Sequence, residues 1–598
     1  MNFQCINELE KQLAADFPHA ELAADWEIEP ELCPSDMNGD ITINCFRFAK
    51  IFKVSPDKIA ESVLSFLSVH KDVEKTEKIK AFVNLTMRPE ALFRDSVADV
   101  EKLLESARLP ESKRKKIIVE YSAPNTNKPQ HLGHVRNNTI GMSLVSLLKR
   151  VGHDAVPINL VNDRGIHICK SMIAYQRFGN NVTPESSGIK GDHLVGDFYV
   201  KYNTELNRQI TELKGKDSSL AGKTDEELFL ETEIGQATQR MLQDWENNEP
   251  SVRELWKTMN SWVFKGFDET YRRMGIEFAH TYLESETYLL GKDLIQEELE
   301  KGSFQKRADG AIIVDLGKMG TKVLLRADGT SVYITQDIGT TVKKYADYTP
   351  DSQIWVVGDE QILHFKMLFD ILKKMDRPWA ENLYHLSYGM VNLPTGKMKS
   401  REGTVVDADD LFNEMVSLAK SATLERCGEN VPKDIDKRSE IIGMGALKFM
   451  LLKFNPKTTM LFDPQASVRF EGDTGPYVQY ACARINSIQR KSVERNIDVD
   501  KESPDWQLLA SEEEKKVATA AFFYPRALRL AAEKMDSSIL VNYLLDFSKA
   551  FSRFYRECSV LNADDEKLRD TRLALCYRCR DILADGLKTL TIDVPDAM

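Results

Sequence analysis

Apolar positions cluster at Ile117, Ile118 and Val119, then recur near helical period at Leu132, Val135, Met142, Val145 and Leu148. Pro124, Asn125 and Pro129 interrupt the chain between the two patterns. After Gly152, the run Val156, Ile158, Leu160 and Val161 restores a strand, so residues 117–161 predict one strand-helix-strand unit. Upstream, residues 6–17 predict a helix, residues 40–48 alternate as a strand, and residues 81–86 predict another strand before Pro110. Downstream, residues 179–329 turn polar, with a loop-like 180–187 and a helical stretch bearing Trp245, Trp256 and Trp262, expected as packing anchors. Residues 331–339 lead into a helix, 353–358 predict a buried strand, 359–374 an amphipathic helix and 385–391 a further strand. From about Glu440 the pattern is almost continuously helical; Leu540, Tyr543, Leu544, Phe547, Phe551 and Phe554 keep one apolar face.

These patterns predict an α/β multidomain chain. A small N-terminal α+β domain (1–110) precedes a Rossmann-type doubly wound domain (111–435), which carries an insertion at about 179–329. A C-terminal α-helical bundle (436–598) follows. A length of 598 residues agrees, being too great for one hydrophobic core. No apolar run reaches the roughly 18 residues of a membrane helix, and the N-terminus lacks a signal-peptide pattern, so a cytoplasmic protein is expected. The nine cysteines are scattered, and the single C-x-x-C, Cys576 to Cys579, falls in a helical run, which favours free thiols. A net charge of −12 opposes bulk electrostatic binding of nucleic acid, but the local track Lys113-Arg-Lys-Lys116 leaves room for a basic patch.

The junction at His131-Leu-Gly-His134 is the chemically richest segment. A parallel strand feeding a helix aims the helix's unpaired N–H groups at the crevice beyond the strand, where anions bind. His131 and His134 share one face of the first turn, where imidazole donors reach phosphate oxygens. Gly133, lacking Cβ, lets an adenine ring or ribose lie against the backbone. H-x-x-H supplies only two metal ligands and nothing nearby completes a set, so no metal site is expected. Later, Lys397, Lys399 and Arg401 crowd a Gly-bounded loop suited to a cationic flap over a triphosphate.

Residues 124–141, P-N-T-N-K-P-Q-H-L-G-H-V-R-N-N-T-I-G, resemble the nucleotide-binding signature of class I aminoacyl-tRNA synthetases in the form used by arginyl-tRNA synthetases. His131 and His134 stand at the signature histidines. The loop at 394–404 is similar to the class I K-M-S-K-S loop. Anchored on Met398, it has Lys397 at the first lysine, Lys399 at the first serine, Ser400 at the catalytic lysine and Arg401 at the last serine. Arginyl-tRNA synthetases often depart there and carry a lysine just upstream of the histidines, here Lys128. The resemblance implies that Lys128 supplies charge on the α-phosphate, helped by Lys399 and Arg401. His131, Gly133, His134, Lys397, Met398, Lys399 and Ser400 would bind ATP.

It also implies an arginine pocket. A guanidinium calls for carboxylates and planar acceptors. Tyr333 and Asp337 share a helical face and resemble the family's guanidinium grip, Gln361 matches a nearby glutamine, and Asn125 and Asn159 match asparagines holding the substrate's α-amino and carboxylate end. By position alone Asp337 also suits a helix N-terminal cap. Residues 161–165, V-N-D-R-G, depart from the family's G-D-W-G and leave Arg164 without a role. A-F-V-N-L-T at 81–86 resembles a pattern near the end of the domain that contacts the tRNA corner. Tyr477, Tyr480 and the terminal Met598 lie in segments similar to the anticodon-binding bundle, where the tyrosines either stack on bases or pack in the core. The implied reaction attaches L-arginine to tRNA(Arg) through an adenylate, onto the terminal adenosine 2′-hydroxyl. ATP with Mg2+ is the substrate complex, no tightly bound metal is needed, and a monomer without membrane association is expected.

Overall fold

A computed structural model describes residues 2–22, 26–34, 36–394, 406–497 and 504–598. At its centre lies a five-stranded parallel sheet. In chain order its elements are β1 (Lys116–Glu120), α1 (Leu132–Arg150), β2 (Asp154–Val161), α2 (Gly191–Lys216), α3 (Pro250–Met274) and β3 (His280–Leu283). Then come α4 (Tyr333–Tyr348), β4 (Ser352–Gly358), α5 (Ile362–Lys374), β5 (Leu383–Tyr388) and α6 (Ala408–Cys427). The strand order is β5-β4-β1-β2-β3 with every pairing parallel. Chain direction across the sheet therefore reverses between β1 and β4, which opens a crevice beyond their carboxyl ends. Lys344 of α4 forms a buried ion pair with Glu120 at the end of β1, tying the two halves together below that crevice.

α1 differs from the amphipathic helix expected. It is buried on nearly all sides, including Arg136, Asn137, Asn138, Thr139 and Ser143, because the sheet lies on one face and bundle helices Ile435–Leu452, Tyr524–Lys534 and Glu566–Thr589 on the others. Its polar groups find partners across those interfaces: Ser143 Oγ lies 2.9 Å from Ser537 Oγ, and Arg150 Nε donates to Asp585 at 2.9 Å. Gly141 allows the close approach to the sheet, since a Cβ there would come 2.2 Å from the Tyr121 ring.

The expected insertion at 179–329 is not a single excursion. His280–Leu283 within it forms β3, pairing with β2 at the sheet edge. The rest includes α2, α3, helices Glu233–Glu246 and Leu290–Glu300 and a three-stranded antiparallel sheet of Gln305–Lys306, Ile312–Asp315 and Thr321–Leu325. Trp245 is fully buried there, in edge contact with Trp256. In the N-terminal region four antiparallel strands run in the order Glu31–Leu32, Ile41–Asn44, Phe82–Met87, Val73–Ile79. The strand expected over 40–48 stops at Asn44, whose side chain accepts from Phe46 N–H and turns the chain into a 3₁₀ segment, Cys45–Phe48. Phe3 of this region stacks on Phe522 of the bundle at 3.9 Å.

Candidate active site

The loop leaving β1 is held in an uncommon conformation. Ser122 and Ala123 both adopt left-handed backbone, with φ of 78° and 45°, a cost of order 1–3 kcal/mol per residue that surrounding bonds must offset. Those bonds are visible. Asn137 on α1 accepts from Ser122 N–H at 2.6 Å while donating to Val356 O at 2.7 Å and to the Tyr388 hydroxyl at 3.2 Å, so one side chain bridges β1, β4 and β5 across the crevice. Ser122 Oγ lies 2.6 Å from the Tyr271 hydroxyl. Asn159 accepts from Ala123 N–H at 3.0 Å and donates to Tyr271 at 3.2 Å. Asn159 is 1% exposed, so its amide fastens the loop from behind and lines neither of the two crevices that meet there. In the arginine pocket expected for it, Asn159 would therefore act by holding the Ser122–Ala123 turn.

His131 is the N-cap of α1 in extended conformation, and its Nδ1 accepts from Gly133 N–H at 3.1 Å. His134 Nδ1 accepts from His131 N–H at 3.2 Å, completing a reciprocal capping box made of two histidines. With both Nδ1 atoms accepting, each neutral ring carries its proton on Nε2 and presents an N–H donor. Burial first, then the nearby Lys128 charge, pushes the His131 imidazole down to about 4. His134 is depressed further by burial, His131 and Lys128. Both rings are thus uncharged donors at neutral pH. A Cβ at Gly133 would crowd the cap, coming 3.0 Å from His131 Cε1 and displacing that ring.

This turn opens on a crevice of about 630 Å³ lined by Ser122, His131, Gly133, His134, Asn137, Gly358, Glu360, Tyr388, Met390 and Val406, among others. Arg136, fully buried beneath it, donates to the carbonyls of Met390 at 2.8 Å, Pro456 at 3.1 Å and Thr458 at 2.7 Å, fixing the wall after β5. Lys128 is partly exposed beside the histidines, and among the described residues no hydrogen bond or ion pair holds its ammonium. Lys397, Met398, Lys399, Ser400 and Arg401 lie outside the described residues.

A second crevice of about 360 Å³ lies beyond the same loop, lined by Asn125, Arg164, Glu284, Arg326, Ser331, Tyr333 and Gln336 among others. Tyr333 opens α4 with 80% of its surface exposed. Asp337 is one turn further on, well inside the helix, which removes the N-cap alternative; its carboxylate accepts from His364 Nε2 at 2.7 Å. Gln361, exposed in the turn opening α5, lines neither crevice. Glu284, directly after β3, carries a carboxyl raised to about 7 by burial and by Asp163 and Asp337, against the opposing pull of Arg164. Arg164 itself stacks 3.9 Å over Tyr288 and pairs with Glu246 at 3.1 Å, an anchoring role. Asp163 beside it accepts from Ser285 N–H at 2.8 Å and Ser285 Oγ at 2.6 Å, fixing the turn that bears Glu284.

Elsewhere among the described residues, Asp192, His193 and Asp409 form a group compact enough for a cation, and the Lys190 ammonium already lies in it, 3.2 Å from Asp192 and 2.7 Å from Asp409. In the bundle, Tyr477 donates to Ser552 at 3.2 Å. The Tyr480 ring lies 4.2 and 4.6 Å from the Arg426 and Arg484 guanidiniums, and Met598 packs half-buried. Sequence reading missed Ser122, Asn137, Tyr271 and Glu284. The one signal available was Asn137-Asn138 inside an otherwise helical apolar pattern.

A parallel sheet with this reversal point and a histidine-capped helix at the crevice is the architecture of a class I tRNA synthetase catalytic domain, and the family match bears this out. The profile for "tRNA synthetases class I (R), catalytic domain" matches residues 99–463, that for the arginyl tRNA synthetase N terminal domain residues 6–87, and that for the DALR anticodon binding domain residues 478–598. The chain is 43% identical over 575 residues to the arginine–tRNA ligase of Bacteroides thetaiotaomicron, covering 94% of each chain. It is 41% identical over 578 residues to that of Parabacteroides distasonis, covering 96% of each. The solved arginyl-tRNA synthetase of Thermus thermophilus shares the fold with a TM-score of 0.77, at 24% identity over 99% of this chain and 100% of that one. The chain belongs to the arginyl-tRNA synthetase family. No helix among the described residues is long and apolar enough to cross a membrane.

Proposed function

We propose that the chain is an arginine–tRNA ligase that couples L-arginine to tRNA(Arg) in two steps at the β1–α1 loop. One observation carries the reading: Ser122 and Ala123 line the nucleotide crevice while Asn125, next but one along the chain, lines the second crevice with Glu284 and Tyr333, so two substrates meet across a single strained turn. In the first step a carboxylate oxygen of arginine attacks the α-phosphorus of ATP, which enters as its magnesium complex, and the bond to pyrophosphate breaks. In the second the 2′-hydroxyl of the terminal adenosine attacks the arginyl carbonyl and AMP leaves. No side-chain nucleophile is needed; the protein positions the reactants and stabilises charge. His131 and His134 offer uncharged Nε2–H donors to the phosphates and Lys128 offers the fixed charge. Lys397, Met398, Lys399, Ser400 and Arg401 complete the ATP site in this reading. Asn125, Tyr333, Asp337 and Gln361 hold arginine in this reading, with Asn159 fixing the turn beside it.

Residues 1–110 contact the tRNA corner and residues 436–598, through Tyr477, Tyr480 and Met598, the anticodon. The nine cysteines are free, which fits a cytoplasmic enzyme, here taken as a monomer. Charging of tRNA(Arg) with each amino acid in turn tests the reading: arginine alone is expected to be transferred, and transfer of another amino acid in its place would overturn it.

Glu284 gives the pocket a pH signature. Its carboxyl, raised to about 7, is neutral below that pH and charged above it. A guanidinium binds the charged form, so the KM for arginine is expected to fall as pH rises from about 6 to about 8. Glu284→Gln should flatten that dependence, and a KM that stays pH-dependent in the variant would exclude Glu284 as its source.

A further inference from the structure

Residues 406–408 run antiparallel against the turn that carries His131. Leu132 N–H donates to Val406 O at 2.8 Å and Ala408 N–H to Gln130 O at 3.0 Å, with His131 opposite Asp407. These two backbone bonds grip the cap of α1 from outside the helix, and Val406 is itself part of the crevice wall. What keeps 406–408 there is a charge network at the start of α6. Asp407 caps α6 by accepting from the N–H groups of Asp409 at 2.9 Å and Asp410 at 3.1 Å, and its other oxygen lies 3.7 Å from His193 Nε2 on α2. Asp409 accepts from His193 at 3.0 Å and Lys190 at 2.7 Å, and from Thr270 of α3 at 3.3 Å. Lys190 also reaches Thr270 at 2.6 Å and Asp192 at 3.2 Å. Glu269, Arg273 and Asp410 complete the surrounding wall, with Arg273 already engaged by Glu440 at 2.8 Å.

The charge balance favours one additional proton. Three carboxyl groups, Asp192, Asp407 and Asp409, face the Lys190 ammonium while the Arg273 guanidinium is drawn off by Glu440; burial raises Asp192 and Asp407, which a nearby positive charge offsets. Burial alone would depress the His193 imidazole, but its hydrogen bond to Asp409 and the charges of Asp407 and Asp192 outweigh burial and raise it. Asp409 resists its own burial through the His193 and Lys190 bonds and is held at about 2.

We propose that His193 is a positioning residue for the nucleotide crevice: protonated, it balances the Asp192, Asp407 and Asp409 cluster and so holds residues 406–408 against the His131 turn. The proposal rests on reading that crevice as the ATP site. His193 carries its charge below its raised pKa and loses it as pH rises through that value, so the grip on the cap weakens toward alkaline pH. The test varies ATP in tRNA charging assays at saturating arginine and tRNA, from about pH 6 to about pH 9. His193→Gln keeps an N–H donor without a titratable charge, and His193→Leu removes both. The wild-type KM for ATP is expected to rise severalfold across that range, while His193→Gln holds a constant KM. His193→Leu should show a KM raised about tenfold or more at every pH with kcat little changed, the size of one charge-assisted hydrogen bond. Superimposable pH profiles for wild type and His193→Gln would overturn the proposal even if His193→Leu failed to fold. A wild type that does not charge arginine would instead overturn the functional reading, leaving equilibrium ATP binding by the same variants to decide the role of His193.

Discussion

Lys128→Ala is expected to slow arginyl-adenylate formation about 10²- to 10³-fold, the range for removing one preorganised charge from a transition state, with arginine affinity unchanged. The electrostatics of the crevice explain the size. Bound ATP brings several negative charges to a wall whose described lining includes Glu360 and no lysine or arginine. The two histidines at the cap are uncharged, partly because Lys128 itself depresses them. They orient the phosphates, but charge must come from elsewhere. Lys128 is close enough to shift both rings, and among the described residues nothing neutralises it. Lys128→Arg should recover only part of the rate, since the planar guanidinium is longer and distributes its charge differently from a compact ammonium. Rapid-quench single-turnover measurement of the adenylate separates this from a binding defect. A near-normal rate in Lys128→Ala would transfer the role to the cations at 397–401.

Why the histidine turn was readable and Glu284 was not comes down to the range of the interactions involved. Strand, turn and capped helix from 117 to 150 are set by local periodicity, by Pro124 and Pro129, and by a cap whose partners are two and three residues apart. β3 has no such signature. It is four residues long at a sheet edge, with only Tyr282 buried, so it leaves no apolar run inside a polar stretch. Without β3 the position of Glu284 is also hidden, because that residue is aimed through its neighbour Ser285, whose partner Asp163 lies 122 positions away in the chain. Asn159 illustrates the opposite case. Its sequence match says that an amide is needed there, but only the fold shows both ends of that amide turned toward Ala123 and Tyr271. The polar face of α1 is similar: Arg136 and Asn137 resemble solvent-facing helix positions until the bundle and β5 close over them.

Asp337→Asn is expected to raise the KM for arginine by roughly a hundredfold, about 3 kcal/mol, with a smaller change in kcat. A guanidinium leaving water needs full anionic compensation; Glu284 lines the second crevice, and the Asp337 carboxylate, one helical turn beyond Tyr333 of the same lining, is close enough to raise Glu284. Before substrate arrives their repulsion helps keep Glu284 partly protonated. The Asp337 carboxylate remains as the fixed acceptor, oriented by His364 at 2.7 Å. Asparagine keeps the shape and that hydrogen bond but removes the charge, so the loss falls on binding rather than on the reacting carboxylate at the far end of the substrate. Removing the repulsion should also let Glu284 ionise at lower pH, moving the pH dependence of the KM downward in Asp337→Asn. A double-mutant cycle with Glu284→Gln should therefore be non-additive, since both carboxylates face one cation. Strict additivity, or an unchanged KM in Asp337→Asn, would mean that the guanidinium is held elsewhere.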